Sequence, residues 1–176
     1  MEKSQNSQEL FIYTRRLPHW RLSGSIYFVT WRLDRDQQEL TPIERDVVSS
    51  NIKYFDKQRY DLFAFVVMPD HVHVLVLPRN DFLLHQIVRT WKSYSAYKLQ
   101  RDFQRRNCIW QDEYFDRIVR DQEKLLEKAQ YILNNPLKIM PEIHDYRWVW
   151  IGDWTEAGTE ARPTGTEARP TEGNSP

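Results

Sequence analysis

The stretch Asp61-Leu-Phe-Ala-Phe-Val-Val-Met-Pro-Asp-His-Val-His-Val-Leu-Val-Leu77 decides the fold. Its first half, DLFAFVVM, is a near-continuous apolar run, the pattern of a strand buried on both faces. Met68-Pro69-Asp70 is the break. His71 to Leu77 is then a second strand, paired with the first in a hairpin. Side chains alternate across a strand, so His71 and His73 point to one face while Val72 and Val74 point to the other.

Working outward from the hairpin, Ser25 to Leu33 (SIYFVTWRL) is β-branched and aromatic and reads as an earlier strand. Thr41, Pro42 and Glu44 make a helix start, and the helix should end near Lys57. After the hairpin a long helix is expected from about Phe82 to Arg101. Trp110 to Val119 has a weaker strand pattern, and Asp121 is placed to cap a last helix that stops at Asn134-Asn135-Pro136. The order β-α-β-β-α-β-α predicts an α+β fold: an antiparallel sheet with helices packed on one face, ferredoxin-like or of the RNA-recognition (RRM-like) type. Such a sheet leaves its other face available to a large ligand.

Composition bounds the rest. From Thr155 onward the unit Gly-Thr-Glu-Ala-Arg-Pro-Thr occurs twice, at 158–164 and 165–171, with no aromatic or large aliphatic residue. It cannot bury enough surface to offset its ordering entropy, so residues 155–176 are expected to be a disordered tail. Residues 1–9 are expected to be flexible, and 10–154 to form one domain. Seven tryptophans make a core possible in a chain this small. The lone Cys108 excludes an internal disulfide framework and suits a reducing compartment. MEKSQNSQEL lacks the apolar stretch of a secretory leader, and no apolar run is long enough to span a membrane. A cytoplasmic location is the expectation.

Net charge is zero, which at first argues against a nucleic-acid partner, but the distribution is uneven. Without the tail, 23 basic residues stand against 21 acidic ones. Arg89, Lys92, Lys98, Arg101, Arg105 and Arg106 fall between His85 and Cys108 with Asp102 as the one acidic residue among them. Arg15, Arg16, Arg21, Arg32 and Arg35 cluster near the start, interleaved with His19, Trp20 and Trp31. Basic residues among aromatics suit a phosphate backbone with unstacked bases. On composition alone, a solvated helix face above a core of aromatics is the favoured account.

Two imidazoles held on one strand face are half of a metal site, because neutral ring nitrogens suit divalent ions. An i, i+2 pair is a weak motif, and taken alone it is explained as well by chance placement on a half-exposed strand. The last helix adds to it. Leu125, Ala129, Ile132 and Leu133 form its apolar stripe, while Tyr131 falls on the other side with Lys124, Glu127, Lys128 and Asn135. If the two faces meet, a phenol, two imidazoles, an amide oxygen and one or two lysines share a site. A phenol of pKa about 10 needs a cation or base before it becomes a nucleophile. Lys124 or Lys128 could serve, by holding a phosphate or favouring the phenolate.

The elements PDHVHVLV and YILNNP, in that order with a basic helix between them, resemble the single-tyrosine transposases of the HUH endonuclease superfamily. The nearest resemblance is to the REP-associated tyrosine transposases, over about residues 10–150. WQDEYFDRIVRD is similar to that family's segment before the tyrosine helix. The resemblance implies an HUH fold with His71 and His73 as the metal pair, Asn135 as third ligand and Tyr131 as nucleophile. It also implies Mg²⁺ or Mn²⁺ as cofactor and single-stranded, hairpin-bearing DNA as partner, with the protein nucleoid-associated when bound. The implied reaction cleaves the strand, links Tyr131 to a 5′ phosphate and frees a 3′ hydroxyl. Arg15, Arg16, Trp20, Arg89, Lys92, Lys98, Arg101, Lys124 and Lys128 are the candidate DNA contacts. A monomer is favoured, with a homodimer as the alternative. Two other readings compete: a non-catalytic RRM-like nucleic-acid-binding module, and a metal hydrolase that activates water. The first lacks its family's glycine-containing motif, and the second lacks a further His or carboxylate cluster.

Overall fold

Alternation along the strands sorts the apolar side chains into two sets, one for each face of a five-stranded sheet. The computed structural model describes residues 24–143, 145–152 and 154. The strands are β1 (Ile26–Arg32), β2 (Tyr60–Val67), β3 (His71–Pro78), β4 (Phe115–Val119) and β5 (Val149–Ile151). The helices are α1 (Pro42–Lys53), α2 (Leu84–Phe103) and α3 (Gln122–Asn134), with a 3₁₀ turn over Pro136–Lys138. The strand order is β4-β1-β3-β2-β5, and every neighbouring pair is antiparallel.

β3 is therefore the central strand, and β2 and β3 form the expected hairpin. All eight residues of β2 are buried, as its apolar run predicts. The β2–β3 register shifts between Leu62 and Ala64. That irregularity puts the consecutive residues Phe63 and Ala64 into the same apolar layer, which strict alternation forbids.

Val29, Trp31, Leu62, Phe65, Val72, Val74 and Val76 form one layer with Val48 and Ile52 of α1 and Ile87, Val88, Trp91 and Leu99 of α2. Trp31 and Trp91 stack at 5.8 Å, and the Tyr60 hydroxyl donates to Ile52 O and accepts from Trp91 Nε1. Phe28, Phe63, Ala64, Val66, Leu75 and Leu77 form the opposite layer with Leu125, Ala129 and Ile132 of α3. The expectation of helices on one face only is thus corrected: α1 and α2 cover one face, and α3 lies on the other. The physical reason is that β2 and β3 are apolar on both faces, and each apolar face needs cover.

Smaller corrections concern boundaries. α1 begins as expected, with a reciprocal capping box between Thr41 and Glu44, but it stops at Lys53 rather than near Lys57. α2 runs two residues later than predicted at both ends and is closed by Gln104 at φ 57°. In the Trp110–Val119 stretch only Phe115–Val119 is a strand, and Trp110 makes an isolated bridge to Leu33. α3 is capped by Asp121, whose side chain accepts from Lys124 N, and ends at Asn134 as read. β5 pairs with β2 and follows the predicted elements; three residues are too few to show a period. No helix among the described residues is long and apolar enough to cross a membrane. The expectations for residues 1–9 and 155–176, and for Arg15, Arg16, His19, Trp20 and Arg21, lie outside the described residues.

Candidate active site

Strand register assembles the first half of the site. Thr30 of β1 is the register partner of His73 on the central strand, and Arg32 is the partner of His71. His73 is 6% exposed, and its Nδ1 lies 2.7 Å from Thr30 Oγ1. When Nδ1–H donates to that hydroxyl, Nε2 keeps its lone pair. Phe28, two residues before Thr30 and so on the same face, stacks on the His73 ring at 5.3 Å. Burial, then the positive neighbours His71, Lys138 and Arg32, push the His73 pKa down to about 3. His73 is a neutral imidazole at physiological pH.

His71 is oriented from its own loop. Its Nδ1 bonds the Asp70 carboxylate, which also meets Arg32 at 3.4 Å. A carboxylate accepting from Nδ1–H leaves the His71 Nε2 lone pair facing outward, as in carboxylate–histidine–metal arrangements. That Nε2 faces the Asn135 side-chain oxygen at 3.2 Å.

The second half comes from α3. Leu125, Ala129 and Ile132 are buried against the sheet and fix the helix roll, while Leu133 is half-buried. Tyr131 then sits on the flank of the helix, 38% exposed, rather than on its far side. Its ring meets His73 at 5.2 Å and the edge of Phe28 at 5.8 Å. Asn135, one turn on, is 3% exposed and caps the helix. The structure therefore brings together His71, His73, Tyr131 and Asn135, contributed by two elements 58 or more positions apart in the numbering.

The two histidine nitrogens and the amide oxygen also suit a divalent cation. Two lone pairs 3.2 Å apart, His71 Nε2 and Asn135 Oδ1, repel unless a proton or cation lies between them. Adjacent ligands on a small octahedral cation are about 3 Å apart for bonds of about 2.1 Å. Among the described residues no three of His, Cys, Asp and Glu cluster, so Asn135 is the third donor that this set offers.

The lysines divide between two rings of the site, with the Lys128 ammonium 5.5 Å from the Phe28 ring centroid. Lys124 and Lys128 both pair with Glu127, at 2.6 and 3.1 Å. The ammonium over the Tyr131 ring belongs to Lys138, 3.8 Å from the ring centroid. Lys138, Thr30, Phe28 and Asp70 are site residues that the sequence reading missed. Thr30 and Phe28 alternate on β1 in a way that could have shown a shared face, but only register aligns them with His73.

The basic residues of α2 are not brought to this site. α2 packs on the opposite face of the sheet, and Lys92 donates to the carbonyls of Gln111 and Asp112. Lys98 and Arg101 pair with Asp102, and Arg89 is exposed. Arg105 is held by Glu44.

Residues 23–135, which span both histidines, the tyrosine and the asparagine, match the family described as "Transposase IS200 like". The chain belongs to this transposase family. Along 142 residues this transposase is 30% identical to a REP-associated tyrosine transposase of Haemophilus influenzae, over 74% of this chain and 77% of that one. A solved structure of a REP-associated tyrosine transposase bound to a REP hairpin matches with a TM-score of 0.61 at 20% identity, covering 81% of this chain and 96% of that one. At that identity the likeness bears on the fold.

Proposed function

We propose that this transposase-family enzyme nicks and transfers single-stranded DNA at hairpin-bearing sites such as REP elements, with Tyr131 as its nucleophile. The observation that carries this reading is the convergence of Tyr131 with His73 at 5.2 Å and of Asn135 with His71 at 3.2 Å. The REP hairpin bound by the structural relative supports the choice of DNA.

His71, His73 and Asn135 would hold Mg²⁺ or Mn²⁺, which when bound polarises a phosphoryl oxygen and stabilises developing charge. Asp70 and Thr30 orient the two imidazoles through Nδ1. Tyr131 loses its phenolic proton to solvent or base, and its Oη attacks phosphorus. The bond between phosphorus and the 3′ oxygen breaks as the phosphotyrosine bond forms, and that oxygen takes up a proton to leave as a 3′ hydroxyl. Attack by a 3′ hydroxyl reverses these steps and rejoins DNA, so strand transfer needs no external energy source. Phe28, packed on both His73 and Tyr131, keeps the two rings in register. The proposed setting is a monomer in the cytoplasm, bound to the nucleoid when on DNA.

The test is cleavage of labelled single-stranded hairpin oligonucleotides, drawn from the DNA flanking the gene, with Mg²⁺ or Mn²⁺. A covalent protein–DNA adduct on a denaturing gel, lost in Tyr131→Phe and in EDTA, is the expected result. Metal-dependent cutting that survives Tyr131→Phe would favour activated water. Binding without any cutting would leave a non-catalytic binding module.

A further inference from the structure

Among the described residues, the ammonium group over the Tyr131 ring is not one of those on the tyrosine's own helix. Lys138 lies on the 3₁₀ turn that follows α3, with Nζ 3.8 Å from the Tyr131 ring centroid. The turn is set by Pro136 at its first position and by the Lys138 N–H donating to Asn135 O at 3.2 Å. Lys138 is thereby held beside Asn135 and above Tyr131 at once.

Among the described residues no carboxylate pairs with its charge. Lys124 and Lys128 share Glu127, Arg32 meets Asp70, but Lys138 forms no ion pair among the described residues. Lys138 is also exposed, so its three N–H donors are open to a ligand. A cation over a half-exposed phenol, with His73 against that phenol and His71 against His73, marks where an anion would sit.

We infer that Lys138 is a catalytic residue whose ammonium holds the non-bridging oxygens of the phosphate on which Tyr131 acts. The inference rests on Tyr131 being the nucleophile. As the phenol oxygen bonds to phosphorus and the 3′ oxygen leaves, charge gathers on the non-bridging oxygens. Lys138 keeps its three protons throughout and donates hydrogen bonds to those oxygens. It then neutralises the phosphotyrosine, which carries its phosphate on the ring that Lys138 already covers. Fixed donors aimed at developing charge are among the largest single contributions to enzymatic rate.

The experiment is single-turnover adduct formation on the labelled flanking hairpin oligonucleotides with Mn²⁺, using wild type, Lys138→Gln, Lys138→Arg and Tyr131→Phe. DNA affinity is measured in parallel on a Tyr131→Phe background with and without Lys138→Gln. The expected result is a rate about a hundredfold lower in Lys138→Gln, with DNA affinity nearly unchanged, and substantial recovery in Lys138→Arg. A Lys138→Gln rate equal to wild type overturns the inference and leaves the nucleophile intact. A loss confined to DNA affinity overturns it too, because Lys138 would then only attract the strand. An adduct that survives Tyr131→Phe, or no adduct on any oligonucleotide, overturns the nucleophile and this inference together. Unchanged thermal unfolding of Lys138→Gln separates a local effect from misfolding.

Discussion

At the scale of single residues, the two histidines are prepared differently for the metal site proposed for them. His73 is buried and held neutral, whereas His71 is half-buried and oriented by the Asp70 carboxylate. Asp70→Ala removes the acceptor that fixes the His71 ring and lets Arg32 go. Mn²⁺ affinity measured by calorimetry should fall by about tenfold or more, the usual cost of losing such a partner. Equal affinity in wild type and variant would deny Asp70 its orienting role. Tyr131→Phe changes only one exposed hydroxyl and keeps the ring contacts with Phe28 and His73. Its stability should stay within about 0.5 kcal/mol of wild type in urea titration, so a lost adduct reports chemistry rather than unfolding. Lys138 shows the limit of helical spacing as a guide. Lys124 and Lys128 lie in the same helix as Tyr131, yet they satisfy Glu127, and the lysine over the phenol lies beyond the helix end.

At the scale of elements, the α2 face of the sheet is anchored by Tyr60, whose hydroxyl ties β2 to both α1 and α2. Burial raises the Tyr60 pKa to about 12, against about 10 for an exposed phenol. The unfolded chain therefore loses this proton first, so stability falls as pH rises from about 10 to about 12 and is fully present below that window. Tyr60→Phe should remove its share of that alkaline slope in denaturation curves, at a cost near neutrality of about 1–3 kcal/mol because the buried Trp91 N–H loses its acceptor. An unchanged slope would show that other tyrosines carry it. The helix starts were legible because capping chemistry is local: Thr41 with Glu44, and Asp121 with Lys124 N, need no distant partner. The helix ends were less so. α2 closes on Gln104 in the left-handed region, a conformation that no glycine announces.

At the scale of the whole molecule, the site exists because α3 is pressed onto the face of β3 that carries the histidines. Ala129, fully buried, sets how close the helix comes. Ala129→Leu should lower stability by about 1–3 kcal/mol through overpacking and should lift Tyr131 and Asn135 away from His73 and His71. Adduct formation should then drop far more than DNA binding, with the sheet's far-ultraviolet dichroism retained; an adduct rate equal to wild type would mean that the helix position is not critical. The sequence by itself determined the hairpin, the shared face of His71 and His73 and the starts of α1 and α3, because periodicity and caps are short-range. Its resemblance to the transposases also named Tyr131 and Asn135 before any contact was known. Only the tertiary structure decided that the second sheet face is covered by α3, that Thr30 and Phe28 join the site, and that the lysine over the tyrosine is Lys138. Those facts depend on strand register and helix docking, and both are settled by burying two apolar faces at once, which no single stretch of sequence contains.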